Sequence, residues 1–317
     1  MFKYLILSFL FITTSYSQIS GCTDIFASNF DPNATENNGS CWYRNTKVRA
    51  KSSTKIDASL SETSGLIDFE GLIWTFNDDH DNTIYGLDTK GEIKRKINLE
   101  GIKNNNWEEI SQDSLYLYIG DFGNNIQGNR RDLEILKIEK KSFLTGTPQI
   151  ETIAFSYSNQ TDFSGKEVNT TDFDCEAFIV LKDSIYLITK QWTAEKTSIY
   201  SLPKNPGKYI AHLRETLDVH GLITGATTIP SKKEVVLCGY TKLLQPFLLL
   251  LYDYQNEAFW TGNRRKIKVS LPWEQIEGIT TEDGSLFYLS NESIIRKPFI
   301  NSPQRLHIID LSPFFKK

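Results

Sequence analysis

The same order of polar and apolar positions recurs five times along the chain. Each instance opens with a polar residue, then a small or acidic one, then an apolar one. A few residues later comes an apolar run that closes on polar or charged residues. Thr63-Ser64-Gly65-Leu66 leads to the run Leu72 to Asp78, and Trp107-Glu108-Glu109-Ile110 leads to Leu115 to Asp121. Asp174-Cys175-Glu176-Ala177-Phe178 leads to Ile185 to Lys190, Ile223-Thr224-Gly225-Ala226 to Val235 to Tyr240, and Ile276-Glu277-Gly278-Ile279 to Leu286 to Asn291. A further short run follows in each, such as Thr83 to Asp88, Ser198 to Leu202 and Phe247 to Tyr252. Runs this short, separated by turn signals such as Asp88-Thr89-Lys90-Gly91 and Asp283-Gly284, predict strands rather than helices.

The openings lie 44, 68, 48 and 53 residues apart, counted from Ser64 to Glu108, Glu176, Thr224 and Glu277. That is the scale of a four-stranded blade with its loops, so the pattern predicts an all-β chain folded as a β-propeller over residues 50–312. Five blades follow from the count. The longest gap leaves room for a sixth, because Gln149 to Tyr157 is itself strand-like. A β-sandwich is the competing architecture, but it does not require a recurring opening. The 19 Phe, 14 Tyr and 6 Trp agree with a strand-rich fold.

The innermost strand of each propeller blade lines a central channel, where side chains must be small or point along the funnel. Pseudo-symmetry therefore brings Ser64, Glu108, Glu176, Thr224 and Glu277 into one ring. Three carboxylates facing one another repel and are costly to desolvate unless a cation or protons compensate. Glu108, Glu176 and Glu277 are accordingly the expected metal ligands. Oxygen donors of this kind suit calcium first and magnesium second. The alternative is that these glutamates cap backbone amides or pair with Lys190, Arg130 and Arg131. Residues 13 or 14 positions after the ring close the second strands at the same mouth, which adds Asn77, Asp78, Asp121 and Asn291, with Asn125 in the loop after Asp121, to Ser64 and Thr224 as ligand-binding candidates. His80 and Asp121 are the candidates for acid–base work, although a histidine in an acidic turn is commonly just solvated. The chain carries no nucleophile elbow, zinc-protease pair, phosphate loop or dinucleotide fingerprint.

Charge and cysteines set the compartment. Lys and Arg total 35 against 39 Asp and Glu, a formal charge of −4, which disfavours nucleic acid as a partner. Residues 1–17, with Lys3 followed by the apolar run Tyr4 to Ile12, read as a secretory signal. No later run approaches the roughly 20 apolar residues of a membrane-spanning helix. The expected location is secreted or in the cell envelope. Residues 18–45 form a Cys-flanked, Asx-rich module. Its Cys22 is open to two fates: acylation as a lipoprotein anchor after Ile19-Ser20-Gly21, or a disulfide with Cys41. Asp24, Asn29, Asp31 and Asn33 place hard oxygen ligands in one loop, without the spacing of an EF-hand. Cys175 and Cys238 are either buried thiols or a second bridge.

Residues Gly21 to Cys41 resemble a short Cys-flanked module of exported Bacteroidetes proteins. Over residues 55–312, the segments Trp74 to Asp78, Asn106 to Ile110, Ile119 to Asn125, Asp174 to Ala177 and Glu277 to Ile279 resemble exported bacterial propeller proteins of unassigned function. More loosely, the acidic ring is similar to that of calcium-dependent propeller hydrolases, including calcium-activated nucleotidases, phytase-like enzymes and gluconolactonases. That similarity implies a channel calcium and hydrolysis of a phosphoester, phosphoanhydride or lactone, but no full catalytic set of those enzymes matches this chain. Two functions follow. One is a binding module that grips a small molecule, glycan or protein with a divalent cation in the channel, and the other is a calcium-dependent hydrolase.

Overall fold

Strand pairing in the computed structural model, which describes residues 18–315 apart from positions 272, 297 and 299, resolves into four-stranded antiparallel units. The expected signal, residues 1–17, lies outside the described residues. Unit I contains Ile67–Phe69, Leu72–Thr75, Thr83–Leu87 and Ile93–Asn98, and unit II contains Trp107–Gln112, Tyr116–Asp121, Glu134–Glu139 and Ile150–Tyr157. Unit III contains Asp174–Leu181, Ser184–Lys190, Lys196–Pro203 and Gly207–Asp218. Unit IV contains Leu222–Ile229, Glu234–Tyr240, Pro246–Tyr252 and Asn263–Val269. Unit V joins Ile276–Thr281, Leu286–Asn291 and Arg305–Asp310 to a strand from the other end of the chain, Ala50–Lys55.

The first strand of each unit packs against the first strand of the next, from I through V and back from V to I, which makes a closed ring. The fold is a β-propeller. Outer edges also meet: Ile153 to Tyr157 of unit II runs parallel to residues 207–211 of unit III, and Thr46–Val48 runs parallel to the outer strand of unit IV. The strand-like segment before Tyr157 is the fourth strand of unit II, so an outer strand and the connection 158–173 fill the longest repeat spacing.

Hydrophobic clusters lie between successive units rather than within them. Trp74 and Phe76 of unit I meet Trp107 and Phe143 of unit II, and Leu66 and Tyr85 of unit I meet Tyr288 and Leu306 of unit V. This explains the unbroken apolar run Phe247 to Leu251. Leu248 and Leu250 face unit V, Leu249 and Leu251 face unit III, and strand alternation therefore buries every position. Each fully buried leucine contributes about 1.5–3 kcal/mol, so the interfaces hold the ring shut.

The N-terminal segment pairs Ser20–Gly21 with Glu36–Asn37 and carries a disulfide between Cys22 and Cys41. Cys22 is 2% exposed and its sulfur is consumed by that bond, which overturns the lipid-anchor expectation. The oxygen-rich residues of this segment make hydrogen bonds within it and to unit IV. Asp24 accepts the hydroxyls of Tyr43 and Tyr252 at 2.8 and 2.5 Å, Asn29 accepts the Trp42 N–H at 2.9 Å, and Asp31 accepts the Asn33 N–H at 2.9 Å. Asp24 and Tyr252 thus dock this segment on unit IV, where the Arg265 guanidinium lies 5.3 Å from the rings of both Phe26 and Tyr43. Cys175 and Cys238 are buried free thiols.

Candidate functional site

The opening motif is a β-bulge. In units II to V the pairing slips by one residue and leaves Glu108, Glu176, Thr224 and Glu277 without a partner in the ladder. Unit I makes the same slip between the Thr63 to Asn77 bridge and the Ile67 to Trp74 pair, around Ser64. A bulge re-aims one side chain out of strict alternation, which lets the ring position point along the channel while its neighbours stay in the core. The small residue after it is required by close approach. A Cβ on Gly225 would lie 2.5 Å from the Glu277 carbonyl oxygen, and one on Gly278 would lie 2.6 Å from that of Ser64.

The five ring positions divide by chemistry. Ser64 donates its hydroxyl to the Glu108 carbonyl at 2.5 Å, and Thr224 donates to the Ile276 carbonyl at 2.5 Å, so both fasten one unit to the next instead of facing the channel. Glu108, Glu176 and Glu277 line one cavity of about 460 Å³, together with Asp78, Lys190, Tyr240 and Glu292. Those four residues occupy equivalent places one step beyond Asn77, Thr189, Gly239 and Asn291, the residues paired with the position before the bulge.

Five carboxylates therefore meet one buried ammonium at the cavity floor. Lys190 Nζ lies 3.1 Å from Glu176, both side chains being 3% exposed, and sits 4.3 Å from the Trp192 ring and 5.3 Å from the Tyr240 ring. Burial works against this ammonium, but Glu176, Tyr240, Glu277 and Asp174 outweigh it and hold its pKa well above the lysine range. Burial pushes Glu108 well up, reinforced by Glu176, Asp174 and Asp78. It does the same to Glu292, reinforced by Glu277 and Asp78. Asp78 is pushed up to about 7 by burial and then by Glu62, Asp79 and Glu277. Glu277 is also raised by burial, against the pull of Lys190 and of the nearby Gln275 and Thr224 side chains, yet neither of its buried oxygens is close enough to a donor for a well-formed hydrogen bond. Asp78 Oδ1 is likewise buried without a partner. Orphaned carboxylate oxygens of this kind are expensive unless a proton or cation reaches them.

Above the floor, Trp192, Trp273, Leu243 and Leu244 line the cavity. Trp273 is 57% exposed and Leu243 is 79% exposed, and the Trp273 N–H donates to the Leu244 carbonyl at 3.0 Å, tying the two mouth loops together. Below the floor, Glu109 occupies the position that is glycine or alanine in the other units. It is fully buried, and its carboxylate accepts the backbone N–H groups of Ile110 at 2.9 Å and of Ala226 at 2.7 Å.

The other sequence candidates lie elsewhere. Asp121 is held by Arg130 at 2.8 Å and by the backbone N–H groups of Asn105 and Asn106, away from the cavity lining. His80 projects into solvent, 91% exposed and 3.4 Å from Asp79, outside the cavity. Asn77 donates to the Ser59 carbonyl, and Asn291 donates to the Pro303 carbonyl and meets His307 Nε2 at 2.9 Å, so both hold loops. Asn125 does line the cavity. Asp78, Glu108, Glu176 and Glu277 are the remaining candidates brought together there, while Lys190, Tyr240, Glu292, Trp192 and Trp273 complete the cavity.

Lys190 supplies a cation that the sequence expectation assigned to a metal. Among the described residues, three carboxylate oxygens within 4.8 Å of one another occur at Glu62, Asp78 and Asp79 rather than at the three ring glutamates. That group could hold a metal ion: its donors are hard oxygens, and one of its members, Asp78, has a buried oxygen without a hydrogen-bond partner. Among the described residues, no helix is long and apolar enough to cross a membrane.

No family model matches the chain, and no curated protein matches it. Solved structures that align with it include streptogramin B lyase, at 14% identity and a TM-score of 0.38, over 76% of this chain and 65% of that one. The chain thus spans just under two thirds of that enzyme's length. Another is the PQQ-bound form of aldose sugar dehydrogenase from Streptomyces coelicolor, at 10% identity and a TM-score of 0.45, over 82% of this chain and 98% of that one.

Proposed function

We propose that the protein is an exported binding propeller whose central funnel holds a small ligand over an acidic floor, with a divalent cation at Glu62, Asp78 and Asp79. The observation that carries this reading is Glu277, 3% exposed, with neither oxygen hydrogen-bonded, in a cavity where carboxylates outnumber the buried ammonium. Asp78 belongs to both the acidic group and the cavity, so a cation bound there places positive charge at the edge of the floor. The disulfide accords with export into an oxidising compartment. Calorimetric titration with calcium and with magnesium tests the cation: calcium binds and raises the melting temperature, and Asp78→Asn abolishes both effects. Neither cation binding the wild-type protein would remove the metal from the proposal.

A second reading, a calcium-dependent hydrolase of a phosphoester, phosphoanhydride or lactone, draws support from Asp78 alone. A carboxyl held at about 7 by burial can both give and take a proton near neutral pH. Turnover of any of these substrate classes that is lost in Asp78→Asn would favour it over simple binding.

A further inference from the structure

We infer that the ligand of the funnel is an organic monoamine: its protonated amine enters the acidic floor beside Glu277, and its apolar body rests on Trp273 and Leu243. The inference builds on the funnel being a binding site and names the class of ligand it takes.

The chain already shows what this floor does with an ammonium. Lys190 is held by a carboxylate at 3.1 Å and by the faces of two rings at 4.3 and 5.3 Å, an arrangement that combines charge-assisted hydrogen bonding with cation–π attraction. One ammonium does not complete the site. Glu277 stays 3% exposed with both oxygens unpartnered, and Asp78 Oδ1 and the Glu108 and Glu292 carboxyls border the same cavity. A second ammonium brings three donors to those oxygens.

A bare calcium ion needs a shell of oxygens at about 2.3–2.6 Å, within roughly 5 Å of one another, and the ring glutamates do not gather three oxygens within 4.8 Å. An amine needs no such shell: one charge-assisted N–H···O bond of about 2.7–2.9 Å to Glu277 holds it, and ring faces can complete its surroundings as they do around Lys190. The mouth then selects the rest of the molecule. Trp273 and Leu243, 57% and 79% exposed, are costly to leave in water and ready to cover an apolar body. Lys242 and Arg296 on the cavity wall repel a second positive charge, which limits the ligand to one amine.

Calorimetry at pH 7.5 with 2-phenylethylamine, 2-phenylethanol and methylamine tests this on the wild-type protein, with calcium titrated separately. The aryl amine is expected to bind at least about ten-fold more tightly than either the alcohol or methylamine, because each lacks one of the two contacts. Glu277→Gln should weaken the aryl amine about ten-fold, and Trp273→Ala should weaken it while leaving methylamine unchanged. Equal binding of amine and alcohol overturns the inference. Calcium binding with no amine binding also overturns it but leaves the cation site standing, whereas silence from every probe removes the funnel as a binding site altogether.

Discussion

Glu109 of unit II accepts the backbone N–H of Ala226 in unit IV at 2.7 Å, a hydrogen bond between units that are not neighbours in the ring. A side chain reaching across the channel ties the ring through its middle. Glu109→Ala should leave the amides of Ile110 and Ala226 buried and unpaired, at about 1–3 kcal/mol each. Chemical denaturation is the measurement, and a loss near 3 kcal/mol with an unchanged denaturant slope is the expected result.

Lys190 and Glu176 form a fully buried pair. Lys190→Met leaves Glu176 without its cation and should cost about 3–5 kcal/mol, whereas Lys190→Met with Glu176→Gln should recover much of that loss. A double-mutant cycle read by denaturation checks the coupling. Additive losses would mean that the surrounding carboxylates, not Glu176, hold the ammonium.

Asp78 should make stability depend on pH. Its pKa is raised by burial from 3.8 to about 7, so its contribution is complete below about 4 and is lost as pH rises through 7. The melting temperature should therefore fall between pH 5 and 8. Glu234, also raised to about 7 by burial, acts in the same window, so Asp78→Asn flattens the slope only in part. A cation bound at the floor should offset the fall, and thermal melts across pH with and without calcium measure both effects.

Gly278→Ala tests ring closure. The added Cβ would lie 2.6 Å from the Ser64 carbonyl oxygen and from Leu66 Cγ, between unit V and unit I. Overpacking at such a contact costs about 1–3 kcal/mol. A lower melting temperature is expected, while Gly146→Ala, where a Cβ meets nothing within 4 Å, reports only the strain of its φ of +80°.

The repeat made the strands, the ring positions and the crowding beside them readable, because alternation and small residues leave a direct trace in sequence. The bulge leaves no such trace, and it displaced the second ring by one residue. Asn77, Asp78 and Asn291 were expected at the channel mouth, but of these only Asp78 lines the cavity, and Glu292, next after Asn291, takes the other place. Successive strand residues point to opposite sides, so a one-residue slip changes which side chain reaches the cavity. Glu109 could have been singled out as the bulky exception to a small-residue position. Trp273 gave no comparable signal, because loops place it by contacts distant in sequence.

Strand Ala50–Lys55 completes the sheet whose third strand is Arg305–Asp310. During synthesis the first of these segments must wait, unpaired, for more than 250 residues to follow. Until then the last blade lacks an edge and the circle stays broken, so every intermediate on the ribosome is an open arc. The full set of funnel carboxylates, drawn from units I, II, III and V, therefore faces one another only in the closed ring.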